Sequence, residues 1–340
     1  MKPITVMVTA SGAPGSARLL RALRENGERE VRLVGTDMSP QSVGRHLCDA
    51  FHVVPAGASE GFADAMLDVA KSENADVVLP QSSHDLEGLA EHVANFPMPV
   101  LVSSPDTIHR SNDKAETYEL LHRIGVPAPA FRRVSGAAQV EAAARELGYP
   151  DRPVCFKPVF SSGSRGFRIL DPTVDRAHQL LYERPGSVAM RLEEAVELLP
   201  ADGVDLLVME LATGGERTID GIGDGTRIVL GHPKTREAMR AGLAMYFVTL
   251  DDPELMRIGN LIVGELRIDH FFNIQLVGDM VIEVNPRIST VVFQDDLNLP
   301  YLGVKRALGE ISDDELHSLA SRVRPGRTAL RYFDQLEFDT

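Results

Sequence analysis

Two short segments in the last quarter of the chain carry amide and carboxylate side chains at a spacing suited to binding a metal. Asn273-Ile274-Gln275 and Glu283-Val284-Asn285 flank the turn Gly278-Asp279, which predicts a hairpin. Residues two apart on a strand point to the same face, so the hairpin gathers several oxygen donors in one place. Mg²⁺ uses such sparse oxygen sets, because it keeps several waters and takes phosphate oxygens for its other positions. The pattern predicts a magnesium site.

A lysine beside a serine- and glycine-rich loop indicates a phosphate site. Lys157 lies near the end of the apolar run Val154–Val159 and precedes the loop Ser161–Gly166. Backbone N–H groups and hydroxyls of such a loop can lie over phosphates, and a lysine adds a positive charge. Taken alone, this pair is also compatible with a solvated lysine next to a flexible loop.

A third pattern is typical of a nucleoside site. The hydrophobic run Val208–Leu211 carries one acid, and Glu216 follows a Gly-Gly turn. A strand edge can bond an adenine ring through its backbone, and a carboxylate just beyond can accept hydrogen bonds from ribose hydroxyls. The alternative for Glu216 is a surface pairing with Arg217 or with water.

Basic residues and a glycine turn are two further candidate sites for anions. Four basic residues that lie near one another in sequence or beside the metal motif indicate a pocket for a polyanion, because the chain is otherwise acidic. They are Lys234, Arg236, Arg240 and Arg287. For Arg240 the alternative is a position on a solvated strand edge, without a ligand. The turn Gly12–Gly15 leads into a helix N-terminus that could hold a substrate carboxylate, although the glycines can equally serve only the turn.

The composition narrows the classes of function. The chain has 340 residues, a net charge of −14 and a pI near 5.2, which argues against nucleic acid or an anionic membrane as a partner. Cys48 and Cys155 stand far apart without metal-ligand spacing, so we expect neither a disulfide framework nor a structural zinc site. The N-terminus lacks a signal-peptide pattern, and no apolar run approaches the ~20 residues of a membrane-spanning helix. These features predict a cytoplasmic protein.

The order of elements in the first third predicts a doubly wound, mostly parallel sheet. Short apolar runs, typical of strands buried on both faces, alternate there with helical stretches. The predicted strands are Ile4–Ala10, Val31–Gly35, Phe51–Val54, Val77–Leu79 and Val100–Val102, and the predicted helices are Ser16–Glu25, Gly61–Ser72 and Asp85–Val93.

Beyond residue 107 the pattern changes to helices followed by hairpins. The predicted helices are Asn112–Ile124 and Gly136–Leu147, and Pro172–Asp202 is expected to hold a helix and a variable connection. The predicted strands are Val154–Val159, Phe167–Leu170, Leu206–Leu211, Thr218–Ile222, Arg227–Leu230, Phe271–Val277 and Met280–Val284.

Together these features resemble the ATP-grasp family, in particular the branch similar to the large subunit of carbamoyl-phosphate synthetase. The resemblance covers almost the whole chain and is most specific at Phe272–Gln275 and Val281–Arg287, with further matches at Thr36–Pro40 and Asn298–Leu302. It implies a Rossmann-like pre-ATP-grasp domain at 1–107, a small lobe with a phosphate lid loop at 108–204, and a large lobe with hinge, metal and substrate site at 205–340. The expected fold class is α/β followed by α+β. The chain is far too short to be a complete carbamoyl-phosphate synthetase.

The resemblance implies a role for each matching residue. The residues expected to bind ATP are Lys114, Lys157, Ser162, Gly163, Met209, Glu210, Leu211 and Glu216. The matching ligands of Mg²⁺, or of Mn²⁺ in its place, are Gln275, Glu283 and Asn285, although other members more often have an acid where Gln275 stands. The expected catalytic cations are Arg287, Lys157 and Lys234. The candidates for holding substrate carboxylates are Arg236, Gly12 and Gly15.

The activity implied by the resemblance is an ADP-forming, Mg²⁺-dependent joining of a carboxylate to an amine through an acyl phosphate, on an amino acid or small peptide. Small-molecule carboxylates and amines are thus the expected partners, and a homodimer is left open. Two alternatives also stay open: a kinase-like enzyme that phosphorylates a carboxylate or bicarbonate, and a non-catalytic ATP sensor. A dinucleotide-dependent oxidoreductase is disfavoured, because the first turn lacks the third glycine of that fingerprint.

Overall fold

The structure is a computed structural model that describes residues 1–161, 163–183, 185–240, 243–289 and 297–338. Within these residues the strands are β1 (Ile4–Val8), β2 (Val31–Asp37), β3 (Ala50–Val53), β4 (Val77–Leu79), β5 (Phe131–Val134), β6 (Val154–Pro158), β7 (Arg168–Leu170), β8 (Ala189–Met190), β9 (Leu206–Glu210), β10 (Glu216–Asp224), β11 (Ile228–Arg240), β12 (Leu243–Val248), β13 (Asp269–Val277), β14 (Met280–Asn285) and β15 (Thr328–Leu330). The helices are α1 (Ser16–Arg24), α2 (Gly44–Leu47), α3 (Phe62–Ser72), α4 (Ser83–His92), α5 (Pro105–Asn112), α6 (Lys114–Arg123), α7 (Ala137–Glu146), α8 (Arg176–Tyr182), α9 (Leu192–Leu198), α10 (Pro253–Leu266), α11 (Leu299–Ala307) and α12 (Asp313–Ser318).

The chain forms two compact units. Unit 1 consists of Met1–His109, Gly215–Gln275 and Val284–Thr340, and unit 2 consists of Arg110–Gly214 and Leu276–Glu283. Unit 2 therefore takes the tip of the β13–β14 hairpin from a segment whose flanks belong to unit 1. The division into three domains drawn from the sequence stays a prediction.

Helices cover both faces of the four-stranded parallel sheet β3-β2-β1-β4 in unit 1. Val6 and Val8 of β1 belong to one apolar cluster with Leu19 and Leu23 of α1, whereas Met7 belongs to a second cluster with α3 and α4. A strand buried on both faces needs a continuous apolar run, which explains why β1 lacks polar alternation. The predicted doubly wound sheet is confirmed.

Unit 2 is built on the five-stranded sheet β5-β9-β6-β7-β8, which is antiparallel except for the β7–β8 pair. Val140 and Ala144 of α7 and Leu192 of α9 lie in one buried cluster with Phe156 and Val208 of the sheet. The stretch 172–202, predicted as a helix and a variable connection, holds α8, β8 and α9.

The single helix predicted over Asn112–Ile124 is wrong at its start, since α5 ends at Asn112 and α6 begins at Lys114. Asp113 separates them as the N-cap of α6. Its carboxylate accepts the backbone N–H groups of Ala115 at 2.8 Å and Glu116 at 3.0 Å. The first N–H groups of a helix have no partner within the helix, so this cap satisfies two of them and makes Lys114 the first helical residue.

Two predicted strands differ more than the others in extent from the structure. Val100 forms an isolated bridge with Val78, and the N–H of Val102 then turns back to the Val100 carbonyl at 2.8 Å, which ends the pairing. The strand predicted as Arg227–Leu230 continues to Arg240, because its partners β10 and β12 extend the ladder on either side.

The third sheet has the order β14-β13-β10-β11-β12-β15, and α10 packs on its apolar side. A Cβ atom at Gly259 of α10 would lie 2.6 Å from Ile219 Cδ1 and 2.9 Å from Ile228 Cδ1. Glycine at this position thus lets the helix approach β10 and β11 closely. In the described residues, none of the helices has the length and apolar character that crossing a bilayer requires.

We expect Leu266→Ala to destabilise the protein by about 2–5 kcal/mol, because Leu266 is 0% exposed on α10 and its truncation leaves a cavity. The matched control is Leu261→Ala on the same helix. Leu261 is 39% exposed, so we expect a change within about 0.5 kcal/mol. Urea unfolding followed by circular dichroism measures both midpoints. Equal shifts for the two variants would contradict the packing of α10.

Candidate functional site

Lys114 of unit 2 lies against the loop that follows β6. Its ammonium Nζ donates to the carbonyl oxygens of Val159 at 3.1 Å and Ser161 at 2.6 Å. The cap by Asp113 fixes the first turn of α6 and therefore the direction from which this lysine reaches the loop. Of the predicted loop residues, Gly163 is exposed with φ +63°, a left-handed conformation that glycine adopts without strain, and Ser162 lies outside the described residues.

Lys157 and Tyr118 form a hydrogen-bonded group with the backbone of β14. Lys157 Nζ donates to Tyr118 Oη at 2.9 Å and to the carbonyl oxygen of Ile282 at 3.2 Å. Tyr118 Oη in turn donates to the same carbonyl at 2.7 Å. Burial raises the pKa of the Tyr118 hydroxyl well above its usual range, so the hydroxyl keeps its proton and can act as this donor. The group connects a predicted phosphate-binding cation to the residue before Glu283.

Both lysines of unit 2 are held where their charge is unfavourable. Burial lowers the pKa of Lys114 to about 8, and the charge of Lys157 adds to this shift, whereas Glu283 and Asp113 oppose it. Burial likewise lowers the pKa of Lys157, against the opposing effect of Glu283. An anion placed beside these ammonium groups would favour their charged forms. The arrangement therefore suits a phosphate-bearing ligand.

The end of β9, predicted as the adenine hinge, is tied to β5 and β6. Met209 is buried and lies between Phe131 and Cys155 in the register of the sheet. The N–H of Glu210 donates to the Ala130 carbonyl at 2.9 Å, and the Glu210 carboxylate accepts the Ala130 N–H at 3.1 Å. These bonds fix the backbone just before Leu211, where a hinge has to present its N–H and carbonyl groups.

In unit 1, Arg236 lies between two residues of the predicted site. Its guanidinium donates to Gln275 Oε1 and is 3.6 Å from Glu216 Oε2. Glu216 and Arg236 are opposite each other in the β10–β11 register, so both side chains lie on the same face of the sheet. The structure thus brings the predicted ribose acid, a predicted metal ligand and a predicted substrate cation together.

Lys234, predicted as a catalytic cation, lies on the same face of the sheet as Arg236 and is 0% exposed. Its Nζ lies 2.7 Å from Asp220 Oδ2 and 5.3 Å from the centroid of the Phe247 ring. Burial and the charge of Lys234 hold the pKa of His232 well below its usual range, so that neighbour is neutral. The structure places the charge of Lys234 inside the sheet face, paired with Asp220, and its catalytic role stays a prediction.

The metal ligands predicted from the sequence lie on β13 and β14. Asn285 Nδ2 is 3.4 Å from Asn273 Oδ1, and Gln275 Nε2 donates to the same oxygen at 2.7 Å. Glu283 stands two residues before Asn285 on β14. The described residues include no group of three His, Cys, Asp or Glu that could hold a metal ion. One carboxylate with amide oxygens fits a hard cation that takes its remaining ligands from water and phosphate.

The remaining candidates lie at the carboxyl-terminal edge of the parallel sheet or beside it. Arg287 Nε donates to Ser83 Oγ at the start of α4, at 3.0 Å. Gly12 N–H donates to Asp37 Oδ2 at 2.7 Å, and Gly15 has φ +99° immediately before α1. The Gly12 N–H group, predicted to hold a substrate carboxylate, thus already bonds a carboxylate of the protein.

Three residues of these networks were not predicted. Tyr118 lies one helical turn after Lys114, a spacing that places both side chains on one face of α6. Thr218 and Asp220 follow Glu216 at spacing two on β10, which places all three on one face. Each periodicity was available in the sequence, but neither identified the partners that give these residues their role.

Two family models match separate parts of the chain. Residues 6–101 match the PylC-like N-terminal domain, and residues 202–328 match the family described as ATP-grasp in the biosynthetic pathway with Ter operon. The first match covers the parallel sheet of unit 1, and the second covers the strands β9 to β14 that carry the predicted hinge and metal residues.

Solved structures with similar folds are ligases and related enzymes. The L-amino acid ligase from Bacillus licheniformis matches with a TM-score of 0.67 at 16% identity, over 96% of this chain and 78% of that one. The carboxyaminoimidazole ribonucleotide synthase from Aspergillus clavatus, complexed with ATP, matches with a TM-score of 0.66 at 16% identity. The match covers 97% of this chain and 94% of that one. Biotin carboxylase from Campylobacter jejuni matches with a TM-score of 0.62 at 17% identity. The match covers 90% of this chain and 71% of that one.

The family match assigns residues 202–328 to an ATP-grasp family, and the solved structures share the fold of the chain. Complexes with ADP and with ATP are among the solved structures of similar fold. The resemblance to ATP-grasp ligases and the predicted fold class, α/β followed by α+β, are confirmed. The closer resemblance to the carbamoyl-phosphate synthetase branch and the roles of individual residues stay predictions.

We expect the affinity for ADP to fall as the pH rises through about 8, by up to about tenfold per pH unit, because phosphates need the charged form of Lys114. The affinity falls with rising pH because the pKa of Lys114 is lowered to about 8. Below pH 8 the Lys114 ammonium is already charged, whereas above pH 8 ADP binding has to take up a proton. Lys114→Met should lose this dependence, and Lys71→Met, at an exposed lysine of α3, should keep it.

Isothermal titration calorimetry in buffers of different ionisation enthalpy measures both the affinity and the proton uptake. The same pH dependence in Lys114→Met and in the wild type would contradict the assignment.

Proposed function

We propose that the protein is an ATP- and Mg²⁺-dependent carboxylate–amine ligase that forms an amide or peptide bond through an acyl phosphate, on an amino acid or small peptide. The observation that carries this proposal is the pair of partly buried lysines in unit 2, Lys114 and Lys157, whose pKa values are lowered by desolvation against the opposing charge of Glu283. A triphosphate would supply the missing negative charge. The similarity in fold to an L-amino acid ligase supports the choice of substrate class.

In this proposal the residues named from the sequence as ATP ligands bind the nucleotide. Lys114 and Lys157 bind phosphate oxygens, and Gly163 belongs to the lid loop, in which the sequence also assigns Ser162 to ATP. The backbone of Met209, Glu210 and Leu211 bonds the adenine ring, and Glu216 accepts the ribose hydroxyls. The hydrogen bonds that fix β9 and α6 support this assignment, because they hold both groups in place before the ligand arrives.

The proposed holders of Mg²⁺ are Gln275, Glu283 and Asn285. When bound, the ion would screen the charge of the phosphate oxygens during transfer. Glu283 and Asn285 offer oxygens suited to it, whereas Gln275 Oε1 bonds Arg236 and would have to exchange that partner for the metal. Arg236 would then be available to a substrate carboxylate.

The chemistry needs little covalent participation from the protein. A substrate carboxylate oxygen attacks the γ-phosphorus of ATP, and the bond to the β–γ bridging oxygen breaks to release ADP. The amine then attacks the acyl carbon, phosphate leaves, and the amine loses a proton. Arg287 and Lys157 offset the charge on the transferred group, and Lys234 contributes to the field from within the sheet. The lid loop excludes water, which would otherwise hydrolyse the acyl phosphate.

The substrate contacts proposed for the carboxylates are Arg236 and the turn with Gly12 and Gly15. Arg236 is the better supported of these, because its guanidinium lies beside Glu216 and Gln275 on the proposed catalytic face. The Gly12 N–H would have to release Asp37 before it could bind a substrate carboxylate.

The first experiment measures ADP release from ATP and Mg²⁺ with amino acids presented singly and in pairs, followed by mass spectrometry. A ligase requires two substrates and forms a product lighter than their sum by one water.

We expect Glu283→Gln to lower kcat by about a hundredfold or more, because metal stabilisation of the transferred charge is worth several kcal/mol. The control is Glu119→Gln, at an exposed acid of α6, which should retain wild-type turnover.

The same assay separates the alternatives. Turnover with a single carboxylate or with bicarbonate would indicate the kinase-like enzyme. ADP binding without turnover in every mixture would indicate an ATP sensor. Wild-type turnover in Glu283→Gln at saturating Mg²⁺ would show that the proposed metal set is wrong.

A further inference from the structure

Asn273 is the centre of a hydrogen-bonded network on the polar face of the third sheet. It is 4% exposed, and its side-chain amide nitrogen donates to Thr218 Oγ1 at 2.6 Å and to Asp220 Oδ1 at 2.8 Å. Its amide oxygen lies 2.7 Å from Gln275 Nε2 and 3.4 Å from Asn285 Nδ2, and both amides donate to it. Both N–H bonds and both acceptor positions of this one side chain are therefore used.

The partners of Asn273 leave its amide a single orientation. Asp220 is paired with Lys234 at 2.7 Å and, as a carboxylate, can only accept hydrogen bonds. Thr218 donates its own hydrogen to the Ile274 carbonyl at 2.9 Å, so its oxygen is the acceptor toward Asn273. The nitrogen of the Asn273 amide must face these two acceptors, and its oxygen must face the other way.

The orientation of the Asn273 amide constrains the side-chain amides of Gln275 and Asn285, which donate to its oxygen. Because the Asn273 oxygen accepts from Gln275 and Asn285, their amide nitrogens point toward it and their amide oxygens point away from it. A metal ion binds an amide through its oxygen, so a reversed amide would present N–H groups to the cation. The direction of the Asn285 amide is thus decided, through Asn273, by the buried carboxylate of Asp220, whereas that of Gln275 is also fixed by Arg236, which donates to its Oε1.

We infer that Asn273, held by Thr218 and by the Asp220–Lys234 pair, is a positioning residue that turns the amide oxygen of Asn285 toward a divalent cation, and that of Gln275 once Arg236 releases it. This inference rests on the metal set proposed above. Buried polar networks are costly unless every member is satisfied, and well-packed apolar side chains of similar volume often serve stability equally well. The opposite face of the same strands is apolar, with Ile219 near α10.

The test compares Asn273→Leu with Ile274→Val in the full chain. The probe is Mn²⁺ in the presence of ADP, and electron paramagnetic resonance of free Mn²⁺ gives the dissociation constant. Loss of an outer-shell partner typically weakens metal binding about ten- to a hundredfold, and we expect this for Asn273→Leu. Ile274 is buried on the other face, so Ile274→Val should bind Mn²⁺ within about twofold of wild type.

A second pair of variants keeps the inference testable if Asn273→Leu does not fold. Thr218→Val removes the hydroxyl acceptor while preserving shape, and Thr218→Ser restores the hydroxyl. We expect Thr218→Val to weaken Mn²⁺ binding and Thr218→Ser to recover it, which a purely structural contribution of the methyl group would not do. Equal Mn²⁺ affinity in these two variants, or wild-type affinity in folded Asn273→Leu, would overturn the inference.

Glu283→Gln separates this inference from the proposed function. Weaker Mn²⁺ binding in Glu283→Gln together with unchanged binding in Asn273→Leu would overturn the positioning role and leave the proposed metal set standing. Unchanged Mn²⁺ binding in both variants would overturn the metal set, and the inference with it.

Discussion

The ion pair of Lys234 with Asp220 is the interaction on which the polar face of β10, β11 and β13 depends. Removing two charges from water is unfavourable by several kcal/mol per ion, and their attraction offsets this only when the remaining hydrogen bonds are also made. Asn273 donates one of them to Asp220, and the ring of Phe247 lies against the ammonium. Removing either ion would leave the other buried and uncompensated. The pair therefore restricts which side chains the neighbouring positions tolerate.

The lysines of the two candidate networks differ in their electrostatic surroundings. In unit 1 the charge of Lys234 is matched by a carboxylate at 2.7 Å. In unit 2, Lys114 and Lys157 bond to carbonyl and hydroxyl oxygens, and burial lowers the pKa of both. A phosphate-bearing ligand would supply negative charge beside Lys114 and Lys157, whereas Lys234 already has a counter-ion in Asp220. The same residue type is thus suited to structure in one unit and to binding in the other.

Local periodicity predicted much of the fold and the hairpin that carries the candidate metal ligands, whereas depth of burial was not predictable. Lys234 and Arg236 lie two residues apart on β11 and share a face of the sheet, but the predicted strand ended at Leu230, so this placement was not predicted. The burial of Lys234 depends on Phe247 of β12, a strand whose pattern was not recognised. Tyr118 was missed for a related reason, since its partner Ile282 is distant in sequence and is brought near by the fold. Contacts of this kind follow from tertiary packing and leave no signal in a short window.

The discontinuous make-up of unit 2 has a consequence for its synthesis. A nascent chain that has emerged to Gly214 already contains Lys157 and Tyr118, but it lacks the Ile282 carbonyl to which both side chains bond. The missing strand end is translated only after β10 to β13 of unit 1, so neither unit can complete its contacts on the ribosome before the other has largely emerged. A prematurely terminated product would consequently present Lys157 and Tyr118 without the backbone acceptor that completes their hydrogen-bonded group.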